Sequence, residues 1–377
     1  MIGAVVGMKR IDALQTLRAV AFLEIFLAHC ELSPLLGMFG VSVFVVLSGF
    51  CMGLSYIPRA DALPCTLGGC VRFGAARVKK LYVLHVVMTF CAMFFRGVPA
   101  SLQELGILIT NLLLLQSLFS DGNVYFAFNG VSWYLSTYMI ICMAAPVILR
   151  LAARVDTKKK CAVHMLLIAL IMAAVAALAG CCGDNIAKWL TYVYPVYRLL
   201  DFSLGVLLGR LFLIRERREN KTAIAAGVCA VVWTALCVKF ISHIPAGYVY
   251  SLVFVPSSLM LVWTCANIGG AVEKLLTWKG FVHIGDMSGY MFLIHQCVIQ
   301  AVLSATKQVY AAGLGASMTL LRLVWLVVSF ALTLLLAQLC ARITTAKKLR
   351  RCTGQQKRYR KRRKSRQGEK GIIQEQG

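Results

Sequence analysis

The sequence predicts an all-α polytopic membrane protein of about ten transmembrane helices, with one re-entrant or interfacial outer segment at about 105–119. Two observations predict it. Of the 377 residues, 59% are hydrophobic and 15% charged, whereas soluble domains carry about 25% charge. The mean hydropathy is +0.76. The net charge of +25 is also gathered rather than spread. It sits at Arg77/Lys79/Lys80, from Arg150 to Lys160, from Arg215 to Lys221, and from Lys347 onward. These clusters fall between apolar segments, where the positive-inside rule places cytoplasmic loops.

In chain order the segments of spanning length, about 17–25 residues each, are 12–30, 36–56, 81–97, 131–150, 161–181, 195–213, 222–242, 248–268, 282–305 and 318–342. The run 105–119 is shorter. If it crossed, Arg150, Arg154 and Lys158 to Lys160 would face outward, and every later cluster would invert with them. If it re-enters on the outer side, all the clusters fall inside and both termini are cytoplasmic. A re-entrant backbone needs protein or a watery cavity around it, so the same parity expects an outer cavity near 105–130. The expected organisation is one integral-membrane domain, 10–342, followed by a basic disordered cytoplasmic tail, 343–377. That tail lacks stacking aromatics or a fold of its own. It suits anionic lipid headgroups of the cell (plasma) membrane rather than specific nucleic acid. No cleavable leader is evident, so the first span is expected to stay.

Fifteen cysteines are present, mostly inside apolar segments, where Cys acts as a small hydrophobe. Cys65 and Cys70 have no histidine beside them, and no two histidines have ligand spacing, so no metal site is expected.

The first span is unusual. Arg18, Glu24 and His29 lie inside it, and ionisable groups at membrane depth are functional hypotheses by default. Arg18 and His29 are eleven residues apart, within about 20° of one helix face and about 16 Å apart along the axis. One face therefore carries a cation at inner depth and an imidazole at outer depth. Snorkelling of Arg18 to inner headgroups is the competing reading. Glu24 points away from that face.

Arg18-x10-His29, followed by Gly40-Val41, Phe44 and Leu47-Ser48-Gly49-Phe50, resembles the start of the integral-membrane acyltransferase family 3, the O-acyltransferases of bacterial surface polysaccharides. Further segments recur in order. Arg77-Val-Lys-Lys80 resembles an Arg-x-x-Arg motif with Lys80 as the second cation. Asn129-Gly130-Val-Ser132-Trp133-Tyr-Leu135-Ser136 resembles a Trp-Ser-Leu-Ser segment, with Tyr138 where a Glu is frequent. Tyr197-Arg198-Leu-Leu-Asp201-Phe202 resembles an Arg-x-x-Glu-Phe element. Gly285 to His295 resembles a Ser-Tyr-x-x-Tyr-Leu-x-His motif, with Gly289 and Phe292 replacing the tyrosines.

The resemblance implies acyl-CoA, most simply acetyl-CoA, supplied from the cytoplasm as a co-substrate with no bound cofactor. It further implies an acceptor hydroxyl on an envelope glycan or glycolipid outside. Arg72, Arg77 and Lys80 at the inner mouth suit the CoA phosphates, with membrane anchoring as the other reading. His29 is the candidate base or transient acyl carrier, and Arg18 its catalytic companion. Trp133, Arg198, Asp201 and His295 are candidates for the acceptor side. Arg198 and Asp201 can equally pair with each other, and His295 can equally be a satisfied buried group. The alternative function is export of a glycan or its precursor. It draws little support from a chain without inverted repeats or paired broken helices.

Overall fold

Local signals in the sequence start the helices. Ser33-Pro34 opens α2 (Pro34–Tyr56) with proline in its first turn, where its missing N–H costs nothing. The Thr66 hydroxyl accepts from Gly69 N at 3.2 Å and opens α3 (Leu67–Arg96). Ser101 accepts from Glu104 N, and the Glu104 carboxylate reaches back to Ala100 N at 2.6 Å, boxing the start of α4 (Leu102–Leu112). Thr157 caps α6 (Lys158–Cys181) in the same way. The remaining long helices are α1 (Ala13–His29), α5 (Trp133–Ala153), α7 (Pro195–Ile214), α8 (Asn220–Lys239), α9 (Val255–Asn267), α10 (Lys279–Ala311) and α11 (Arg322–Thr344). The computed structural model describes residues 10–215, 220–311 and 322–344, and no strand occurs among them. The tail from residue 345 on, and part of the Arg215 to Lys221 cluster, lie outside the described residues.

The helices bury against one another. α1 lies between α2 and α10, α2 runs along α7, and α3 packs on α5. α11 joins through Trp325, whose indole donates to Ile299 O at 3.2 Å, and through Phe330, which stands edge-on to Phe26 at 5.4 Å. The crossings of α2 with α7 and of α1 with α10 are among those close enough to demand glycine. A Cβ on Gly205 would lie 2.1 Å from Val46 O, and one on Gly49 would lie 2.1 Å from Phe202 O. A Cβ on Gly285 would sit 1.9 Å from Gln15 O, so α10 meets α1 backbone to backbone. The outward faces are apolar: Leu166, Leu167, Leu170 and Ile171 of α6 are all exposed, while Met172, Ala176 and Ala179 turn inward. Apolar flanks on a bundle with a polar interior belong in lipid.

The all-α, multi-pass expectation holds. Among the described residues seven helices are long and apolar enough to cross, or eight with one bent pair. Two of the ten expected segments fall short of that measure. α1 is only 17 residues long, and α7 carries Arg198, Asp201 and Arg210. The expected span 248–268 is a helix to Asn267 that turns by 109° into Gly270–Leu276. The basic stretch before residue 81, expected as loop, is helical from Leu67. It follows the Thr66 cap without a breaker, so the third span projects well beyond its apolar part.

The 105–119 run begins inside an 11-residue helix, α4. At 1.5 Å per residue this is roughly 16 Å long, about half a hydrocarbon core. The chain then reverses at Leu114, whose φ is +57°. Several of its backbone carbonyls are met inside the protein. His85 Nε2 lies 3.0 Å from Asn111 O, Ser136 donates to Leu114 O at 2.7 Å, and Trp189 donates to Ser117 O at 3.2 Å.

Candidate active site

Five helices, α1, α2, α3, α5 and α10, enclose a cavity of about 300 Å³. Its rim carries Arg10, Lys80 and Asp286, and deeper positions carry Arg18, Ser48, Arg77 and Tyr138. Each cation is held differently. Arg10 binds both carboxylate oxygens of Asp286 at 2.8 and 2.9 Å through Nη2, and Asp12 at 2.8 Å through Nε. Arg18 donates to Gln15 Oε1 at 3.3 Å. Arg77 donates to the Tyr56 hydroxyl and lies over the rings of Phe73 and Tyr56, at 4.4 and 4.9 Å. Lys80 Nζ lies 4.9 Å over the Tyr290 ring. Four cations against one carboxylate leave the cavity positive, and the arginines offer forked N–H donors to an anion.

The far wall is aromatic: Phe44, Tyr134 and Phe292. Beyond it two imidazoles meet. The rings of His29 and His295 stand edge to face with centroids 4.9 Å apart. His29, the last residue of α1, is exposed, and its Nδ1 lies 2.8 Å from Ile25 O. A carbonyl only accepts, so Nδ1 is the protonated nitrogen and Nε2 keeps its lone pair. His295 is fully buried with Nδ1 at 2.8 Å from Phe292 O, and its Nε2 has no hydrogen-bond partner among the described residues. An exposed imidazole at one end and a cation-lined cavity at the other leave the site with two chemically different ends.

Residues 11–342 match the family described as acyltransferase domain. The chain belongs to that family. It is an O-acyltransferase, and a relative points the same way: the acyltransferase MdmB of Streptomyces mycarofaciens is 23% identical over 281 residues, covering 70% of this chain and 69% of that one. No solved structure matches the chain.

In this acyltransferase the residues expected from sequence are distributed as follows. Arg18, Arg77 and Lys80 share the cavity, while Arg72 is exposed and is absent from its lining. His29 and His295 are brought together. Trp133 is buried against Tyr192, with ring centroids 4.8 Å apart. Arg198, Asp201 and Ser251 are all fully buried. Arg198 Nη1 meets Asp201 Oδ2 at 2.5 Å and Ser251 Oγ at 2.5 Å, and Ser251 donates on to Asp201 at 3.1 Å. Arg198 and Asp201 thus pair with each other, and they lock the start of α7 to the 240–254 connection.

Sequence reasoning missed the Arg10–Asp286 fork, because a cation beside the first span reads as anchoring. It also missed the aromatic wall. One signal was present: Gly285, Ser288, Phe292 and His295 recur at helical spacing and form a single stripe on α10.

Proposed function

We propose that the protein transfers an acyl group, acetyl in the simplest case, from acyl-CoA bound at the cationic cavity to a hydroxyl of a cell-envelope glycan or glycolipid at the opposite side of the membrane. The observation that carries this is His29: exposed, tautomerically fixed by the Ile25 carbonyl, and at the far end of the helix whose Arg18 lines the cavity. A cavity of about 300 Å³ suits a phosphopantetheine arm, with the adenosine portion left at the mouth. Arg77 and Lys80 meet phosphates there. Arg18 lies about 16 Å along the helix from His29, so it holds the donor rather than touching the reacting carbonyl.

In the reaction the acceptor oxygen attacks the thioester carbon while His29 Nε2 takes the hydroxyl proton. The new C–O bond forms, the C–S bond breaks with its electron pair going to sulfur, and the imidazolium returns the proton to the thiolate, giving the ester and free CoA. His295 backs His29, and Trp133 with the Arg198–Asp201 pair shapes the acceptor-side wall. No bound cofactor takes part. In this reading residues 10–342 form the catalytic membrane domain of a plasma-membrane protein with both termini cytoplasmic, and the basic tail faces anionic headgroups.

Membranes containing His29→Ala, supplied with labelled acetyl-CoA, test it. Transfer to glycan is expected to fall about 10²- to 10⁴-fold, the contribution of a positioned base. Undiminished transfer overturns the assignment.

A further inference from the structure

We propose that Phe44, Tyr134 and Phe292 form a collar that selects acyl groups by width before they reach His29. The inference rests on the donor entering through the cation-lined cavity. Three helices independently give the same order in depth. On α10, Ser288 lines the cavity, Phe292 follows one turn on, and His295 three residues later. At 1.5 Å per residue these steps are about 6 and 4.5 Å. On α2, which runs the other way, Ser48 lines the cavity and Phe44 stands one turn beyond it. On α5 the corresponding pair is Tyr138 and then Tyr134. Each helix places an aromatic ring at one level, between the cations and the imidazoles.

The rings close on one another. Centroids are 5.2 Å apart for Tyr134 and Phe292, and 6.4 Å for both Phe44–Tyr134 and Phe44–Phe292. These are contact distances for aromatic pairs. Phe292 also touches the His295 ring, at 5.8 Å. Neither histidine lines the cavity, so the thioester reaches His29 only by parting this collar. An unbranched chain requires one ring to turn aside. A chain branched next to the carbonyl requires two, and Phe22, fully buried against the His295 and Phe26 rings, leaves no room beyond them.

Butyryl-CoA and isobutyryl-CoA carry the same atoms and differ in width at the carbon next to the carbonyl, so the ratio of their kcat/KM values isolates the collar. The wild-type protein is expected to favour butyryl over isobutyryl by about tenfold or more, the scale on which packed pockets discriminate one carbon. Phe292→Ala and Phe44→Ala are expected to shrink that ratio at least threefold, with Phe292→Leu intermediate. A variant that merely folds less well loses both donors equally and leaves the ratio where it was. An unchanged ratio in Phe292→Ala, Phe44→Ala and Phe292→Leu, with acetyl transfer retained in any of them, overturns the collar. Failure of the wild-type protein to use any acyl-CoA overturns the donor reading, and the collar with it.

Discussion

Arg77 and Arg10 line one cavity and have opposite prospects. Arg10 is saturated by Asp286 and Asp12, so its charge is spent on tying α10 to the start of α1. Arg77 and Lys80 rest on aromatic faces, and rings hold a cation without neutralising it. Phosphates are therefore expected at Arg77 and Lys80. The double variant Arg77→Glu, Lys80→Glu should raise KM for acyl-CoA at least about tenfold, the equivalent of one lost charge-assisted contact, while kcat at saturating donor changes far less. Steady-state kinetics in membranes measures the two separately, and an unchanged KM returns both residues to anchoring. Arg18, Arg77, Lys80 and His29 were legible in the sequence because charge at or beside membrane depth is rare enough to stand out. Phe44, Tyr134 and Phe292 were not, because an aromatic residue in an apolar span is ordinary until packing shows which ring meets which.

The crossing of α1 with α10 sets the geometry of the site at the scale of elements. Gly285 lets Gln15 approach, which brings Arg18 and Gly289 to one cavity and His29 to His295. Gly285→Ala forces the two backbones apart, at a cost of about 1–3 kcal/mol for an overpacked contact. Gly289→Ala on the same helix meets only the Leu81 side chain at 3.6 Å and serves as the comparator. Thermal unfolding in detergent should show a lowered midpoint for Gly285→Ala and little change for Gly289→Ala; equal midpoints would mean that the crossing can relax. Helix existence was readable from apolar runs, but helix length was not. α3 starts 14 residues before its apolar part, because the Thr66 cap acts on the backbone whatever the polarity that follows. The 109° bend after Asn267 was equally hidden, since apolar composition does not report direction.

For the whole molecule, charge and length together govern how the chain lies across the bilayer. α4 is too short to cross, and α5 then returns toward Arg150, whose guanidinium donates to Leu63 O and, at 3.4 Å, to Ala60 O. The 57–63 connection and the end of α5 therefore share one face of the protein. An epitope inserted between Asp121 and Asn123 should be reached by antibody only from the face opposite to one inserted at Cys65, before α3. Detection of both from the same side of sealed vesicles would show that the 105–119 segment crosses. The sequence yielded the multi-pass class because apolar flanks must cover lipid. The number of spans was less legible, since α1 is only 17 residues long and α7 carries Arg198 and Asp201, which are met by each other rather than by water.

The contact between α1 and α10 also bears on how the protein is made. Arg10 meets Asp286, Gln15 meets Gly285 and His29 meets His295, so one whole side of the first helix is completed by a helix that begins roughly 250 residues later. At about 5–20 residues per second, a ribosome takes on the order of 10–50 s to supply it. Through that interval the emerging chain holds a helix with arginine, glutamate and histidine against lipid, with α2 and then α9 as its company. The ionisable groups that suit the finished enzyme are thus the ones its nascent chain must shelter longest.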